Sequence, residues 1–267
     1  MKEWRDSEQT LAPTVLSGIM NLFLMKRRFR KPLLLLSLCL PLWVAAEEVY
    51  FINSLGMKFV DVPETSVMMS IFETRVSEFE AFIEADGRNW PETAFEQTGD
   101  HPAVNISWED AYHFCQWLTR KETENGLLPE GWRYRLPTEA EWLAAVTDEP
   151  TLEDEPGFNP EMVFPWGDKW PPPRDSGNYG ERLHVDDFEY TSPVGSFPPN
   201  VYGIYDMGGN VWEWCLDFFE GAQDLRVLKG GSYNMREVSD LLIVTKIGNV
   251  SYIRLPAYGF RIVVERG

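Results

Sequence analysis

The sequence predicts an α+β fold, a single loop-rich domain with few short strands and about three helices. Three observations predict it. Helix-start signals cluster in the first half of the chain. Glycine, proline and asparagine punctuate the second half densely, leaving little helical periodicity after Phe164. The apolar runs that remain are short and bounded by turn residues, as strands are.

The elements follow in order. Two short strands are expected at Tyr50–Ile52 and Met57–Val62 around a turn at 53–56, with a third at 67–72. Ser77-x-x-Glu80 reads as a capping box opening a helix, with Val76 as its hydrophobic staple. Phe79, Phe82 and Ile83 share one face, and Gly87 is the stop. Ser107 with Asp110 caps a second helix, whose Trp108, Ala111, Cys115 and Leu118 form one buried stripe. Thr138-x-x-Glu141 opens a third helix, with Trp142, Ala145 and Val146 inward. Residues 147–161 read as an acidic surface loop. Late strands are expected at 227–229 and 259–264. The stretch Asn200–Asp217 (NVYGIYDMGGNVWEWCLD) mixes acids, aromatics and three glycines. It reads as a rigid, aromatic-walled turn rather than a helix or strand, with the oxygen donors that a hard cation needs.

The first 46 residues differ from the rest. Lys26, Arg27, Arg28, Arg30 and Lys31 precede the apolar run 33–44, and Ala45-Ala46 follows. That order is expected of a signal peptide over residues 25–46, cleaved near Ala46. The run is shorter than the ~20 residues that span a bilayer, so no stable membrane span is expected after cleavage. Residues 1–24 are expected to lie upstream of the true start, at Met25 or Met20. Residues 47–267 form the domain, and the expected location is the periplasm or the medium.

Removing residues 1–46, with 7 basic and 3 acidic side chains, leaves 17 basic against 39 acidic, a net of −22. Such a surface repels phosphate backbones, so nucleic acid is not an expected partner. Cys115 and Cys215 remain beyond the signal and make no metal motif. His101, His113 and His184 form no His-x-Asp/Glu pair and read as ordinary loop and helix-flank residues.

A family resemblance rests on ordered blocks: Asn53-Ser54-Leu55-Gly56-Met57-Lys58-Phe59-Val60, Glu73-Thr74, HPAVNISWEDA from His101 to Ala111, and Cys115. Then come RLPTEAEW from Arg135 to Trp142, Pro165-Trp166-Gly167, GGNVWEW from Gly208 to Trp214, Gly230-Gly231-Ser232-Tyr233 and Gly259-Phe260-Arg261. The chain resembles the formylglycine-generating enzyme, or sulfatase-modifying factor, family over essentially the whole domain. The resemblance implies a variant of the C-type-lectin fold. It also implies kinship with a copper enzyme that oxidises a sulfatase cysteine to formylglycine, with an oxidase of siderophore maturation, with the catalytic region of iron-dependent sulfoxide synthases, and with domains used for binding.

The family's two copper thiolates fall on Met235 and Asp240. A thioether and a carboxylate do not reproduce a bis-thiolate Cu(I) site, so copper is not expected. The family's calcium positions match Asn178, Tyr179, Asp186 and Phe188 at one site and Asp206, Gly209, Val211 and Glu213 at the other, so structural calcium is expected. The expected function is an exported binding or accessory protein for a protein, peptide or glycan partner, with Tyr233, Arg236, Glu237 and Asp240 as groove residues. The alternatives are a non-copper oxidoreductase of the siderophore-maturation kind, using Asp240 or Glu237 as base, and a sulfatase-maturation factor.

Overall fold

The computed structural model describes residues 51–146 and 162–267. The expected signal peptide, the upstream segment and the acidic 147–161 loop lie outside the described residues.

Among the described residues, nine short strands make two sheets. The first runs β1 (Phe51–Ile52), β2 (Lys58–Asp61), β3 (Val67–Ser70), β9 (Val263–Glu265) and β4 (Arg133–Arg135), all antiparallel. The second runs β7 (Lys246–Val250), β6 (Leu225–Lys229), β5 (Trp212–Phe218) and β8 (Tyr258–Gly259), with β5 and β8 parallel. Helices α1 (Val76–Asp86), α2 (Trp108–Glu124) and α3 (Glu139–Val146) are joined by a four-residue α4 (Val238–Leu241). None of these helices is long and apolar enough to cross a membrane.

Local chemistry explains the helix starts. Ser107 Oγ accepts from Asp110 N, and Asp110 returns a carboxylate to Ser107 N, as the sequence predicts. Thr138 and Glu141 do the same for α3. The first helix departs from expectation. Its cap is Arg75 and its boxed acid Glu78, two residues before the predicted pair, because Glu78 binds both Arg75 N at 2.8 Å and the Arg75 guanidinium. Gly87 closes it in the left-handed conformation, as predicted.

Phe79, Phe82, Phe114, Cys115, Trp214 and Phe260 belong to one apolar cluster, and Trp142, Ala145, Val146, Cys215 and Val263 to a second. Two expectations change here. Residues 259–264 are not one strand: β8 and β9 belong to different sheets, and the chain crosses between them at Phe260–Ile262. The stretch Asn200–Asp217 is turned only up to Val211. From Trp212 it is a central strand whose residues Trp212–Cys215 are all buried.

Candidate functional site

The residues from Asp206 to Glu213 meet three other segments at a buried polar centre. Asn210, fully buried, donates to Glu73 Oε2 at 2.7 Å, and its amide oxygen accepts from Asn178 and from Ser192 N. Arg261 closes on Glu213 with two hydrogen bonds, and Trp142 Nε1 adds a third to the same carboxylate at 2.8 Å. Gly209 sits at φ +82°, and a Cβ there would lie 2.2 Å from Asn178 O. Only glycine lets the two loops approach so closely, which permits the Asn210 N to Asn178 O bond at 2.9 Å.

Three carboxylates therefore share one guanidinium. Burial, followed by Asp206 and Glu213, pushes Glu73 well above the ordinary carboxylate range. Burial pushes Asp206 up to about 6, against the opposing pull of the Gly195 N–H and Arg261. Holding Glu73 protonated is the least costly arrangement, since an unpaired buried charge costs several kcal/mol, roughly.

The two expected calcium sets differ in fit. Among the described residues no three His, Cys, Asp or Glu side chains form a metal-holding group, so a cation would need Asn and backbone oxygens. In the first set, Asn178 Oδ1 is buried without a hydrogen-bond partner. Asp186 is folded back onto the same loop, accepting from Tyr179 N and from Phe188 N, both at 2.9 Å. An orphaned buried amide oxygen, one residue from a backbone N–H that binds the Asp186 carboxylate, suits Ca²⁺. In the second set, Asp206 and Glu213 do belong to one centre, but both Glu213 oxygens are committed to Arg261 and one also to Trp142. A carboxylate already neutralised in this way does not fit a cation ligand.

The groove residues follow Gly231. A Cβ at Gly231 would lie 2.9 Å from Leu241 Cδ2, 3.4 Å from the Asp240 backbone carbonyl and 3.8 Å from Met235 Cγ, so the segment carrying both expected thiolate positions packs against this glycine. Neither supplies a thiol. Met235 packs against two apolar clusters, and its carbonyl accepts from Gly180 N at 2.7 Å. Asp240 is half-buried on α4. Arg236 and Glu237 are exposed and form an ion pair at 3.6 Å. Tyr233 is nearly buried, with ring edges toward Phe95 and Tyr190, which stack on each other at 4.6 Å and 7°. Sequence reasoning missed Phe95 and Tyr190, which lie 138 and 43 residues from Tyr233 and carry no local signal. It also missed Arg261 as the partner of Glu213, although the Gly-Phe-Arg block contains it.

The remaining cysteines do not replace the missing pair. Cys115 and Cys215 are free, fully buried and packed in different apolar clusters, with both thiols pushed upward by burial. Such thiols are inert. His101 takes a hydrogen bond from Thr98 N, and His113 meets Arg88, so each has an ordinary local role.

A loop-rich, two-sheet α+β scaffold clasped by a glycine-tryptophan turn is the class of protein these features define. The chain belongs to the formylglycine-generating enzyme family: the sulfatase-modifying factor enzyme 1-like domain model matches residues 54–266. It is 34% identical over 185 residues to the inactive C-alpha-formylglycine-generating enzyme 2 of Bos taurus, covering 64% of this chain and 52% of that protein. It is 30% identical over 212 residues to the formylglycine-generating enzyme of Thermomonospora curvata, covering 68% of this chain and 62% of that protein. The chain thus spans about half the length of the mammalian relative. Among solved structures it resembles PvdO from Pseudomonas aeruginosa, with TM-score 0.55, 22% identity and coverage of 75% of this chain and 80% of that one. It also resembles CarF, with TM-score 0.56, 24% identity and coverage of 75% and 87%. These likenesses concern the fold alone.

Proposed function

We propose that this chain is an exported binding or accessory protein that keeps the family scaffold without copper-dependent formylglycine chemistry. The single observation that carries this reading is the pair of residue types in the segment after Gly231. Met235 and Asp240 stand where the family resemblance calls for two thiols, and the chain's own remaining thiols are buried elsewhere. Oxidising a cysteine through Cu(I) needs soft thiolate ligands, which a thioether and a carboxylate do not supply. That a relative of similar identity carries the word inactive in its name agrees with this reading.

Binding is assigned to the surface formed by Tyr233, Arg236, Glu237 and Asp240, extended by Phe95 and Tyr190. Stacked aromatic rings beside exposed charges suit a peptide or glycan, because flat apolar faces and directional polar groups are presented together. Asn178, the Tyr179 carbonyl, Asp186 and the Phe188 carbonyl would hold a structural Ca²⁺. The ion would pin the loop that bonds to the site segment through Gly180 N and Met235 O.

Arrays of peptides and glycans, probed with the calcium-loaded chain, test the reading. Specific capture that Tyr233→Ala and Arg236→Ala each weaken about tenfold is expected. Capture that both variants leave unchanged would remove the function from this surface.

A further inference from the structure

A second concave site lies on the opposite kind of surface. A cavity of about 720 Å³ is walled by the outer face of α2 (Tyr112, Gln116, Arg120, Glu124), by β4 and by Leu216. The helical residues at 112, 116, 120 and 124 follow one another at four-residue intervals. They make a wall about 18 Å long.

Its charge runs against the rest of the molecule. The chain carries a net charge of −18, yet Arg120, Arg133 and Arg135 all line this one cavity. Arg135 is held by Glu141 at 2.7 Å and by Glu265, and Arg133 also pairs with Glu265. Arg120 is exposed and forms no ion pair or hydrogen bond with any described residue. Glu124, one turn further along α2, also lines the cavity and does not pair with it.

The cavity also has an aromatic side. Tyr112 is 37% exposed and stacks on Trp108 at 5.1 Å and 11°. Trp108 in turn lies 3.8 Å from the Arg226 guanidinium, whose other side faces Phe218 at 3.7 Å. This ladder holds the Tyr112 ring fixed.

We propose that the α2–β4 cavity binds a small ligand that joins an oxyanion head to a flat apolar body, with the head on Arg120 and Arg133 and the body against Tyr112 and Leu216. The volume lies in the range of small-molecule sites, roughly 300–1,000 Å³. A guanidinium offers a carboxylate, sulfate or phosphate two parallel hydrogen bonds. Glu124, one turn beyond Arg120, bounds the anion end of the cavity and directs the apolar body toward Tyr112. The general acidity of the chain is screened beyond a Debye length of about 10 Å at 0.1 M salt, whereas the anion on Arg120 is in direct contact and is weakened only in part.

Titration calorimetry of the full domain with 4-nitrophenyl sulfate, 4-nitrophenyl phosphate and neutral 4-nitrophenol tests this. At least one anion should bind with Kd below about 1 mM, the neutral phenol at least tenfold more weakly, and added salt should weaken the anion. Arg120→Ala should lose about tenfold in affinity and Arg120→Glu should lose binding, both with unchanged Tm because Arg120 holds nothing in place. The control Lys58→Ala, on β2, should bind as the parent does. Equal binding of the neutral phenol, binding retained in Arg120→Glu, or no binding of either anion at millimolar concentration overturns the proposal. None of these results bears on the Tyr233 surface.

Discussion

Arg261 and Glu213 form a fully buried ion pair, with Nε to Oε2 at 2.7 Å and Nη2 to Oε1 at 2.8 Å. Arg261 lies on the crossing between the two sheets and Glu213 on the central strand of the second, so the pair ties one sheet to the other. Arg261 also donates to the Ser70 and Tyr205 carbonyls. Replacing it leaves a buried carboxylate without a counter-charge. Arg261→Met is predicted to lose about 3–5 kcal/mol in chemical denaturation, and Glu213→Gln on the same background to recover part of it.

Stability should rise on mild acidification. Asp206 titrates near 6 in the folded chain against its ordinary 3.8, and Glu73 is raised as well. Between about pH 4 and 6 the folded state therefore holds more protons than the unfolded one, and stability falls as pH rises through that window. Tm should be higher at pH 5 than at pH 7. Below about pH 4 the trend reverses, because Asp110, Glu141 and Glu265 are held low by their arginines. Glu73→Gln should cost less than about 1 kcal/mol at pH 7 and flatten the rise. A Tm that falls steadily from pH 7 to pH 5 would contradict this account of the buried centre.

Calcium removal gives a separate readout. If the Asn178–Asp186 loop holds the ion with ~2 kcal/mol of linkage, chelation should lower Tm by roughly 4–8 °C. Asp186→Asn should abolish the chelator effect, whereas Asp206→Asn should leave it in place. A chelator effect lost in Asp206→Asn but kept in Asp186→Asn would exchange the two donor sets.

The cysteines predict a simple chemical result. Of the three, Cys115 and Cys215 are described, and both are fully buried and free, in separate clusters. In the native domain of residues 47–267 neither Cys115 nor Cys215 should react with a thiol-disulfide reagent or an alkylating agent over minutes, and both should react once unfolded. Rapid labelling of Cys115 or Cys215 in the native domain would place that thiol at the surface.

Much of the fold is written locally. The Ser107–Asp110 and Thr138–Glu141 boxes, the Gly87 stop and the buried face of α2 follow from spacing alone. The start of α1 does not, because an arginine serves as its cap and no short-range rule distinguishes Arg75 from Ser77. The strand Trp212–Phe218 was hidden behind the glycines preceding it, since its pattern is that of a strand buried on both faces and lacks alternation. The site is less legible than the fold. Its positions at Met235 and Asp240 come from the order of the family blocks, but Phe95, Tyr190 and the Arg261 counter-charge are brought in by tertiary packing across up to 138 residues of sequence.

The central claim is that the scaffold lacks the copper-thiolate reaction. The direct measurement incubates the Cu(I)-loaded chain with a cysteine-containing sulfatase peptide under oxygen and assays aldehyde by mass spectrometry, with an active family enzyme as control. The account predicts no formylglycine and no copper retained against a Cu(I) chelator. Stoichiometric copper retention with turnover of peptide to aldehyde would contradict it.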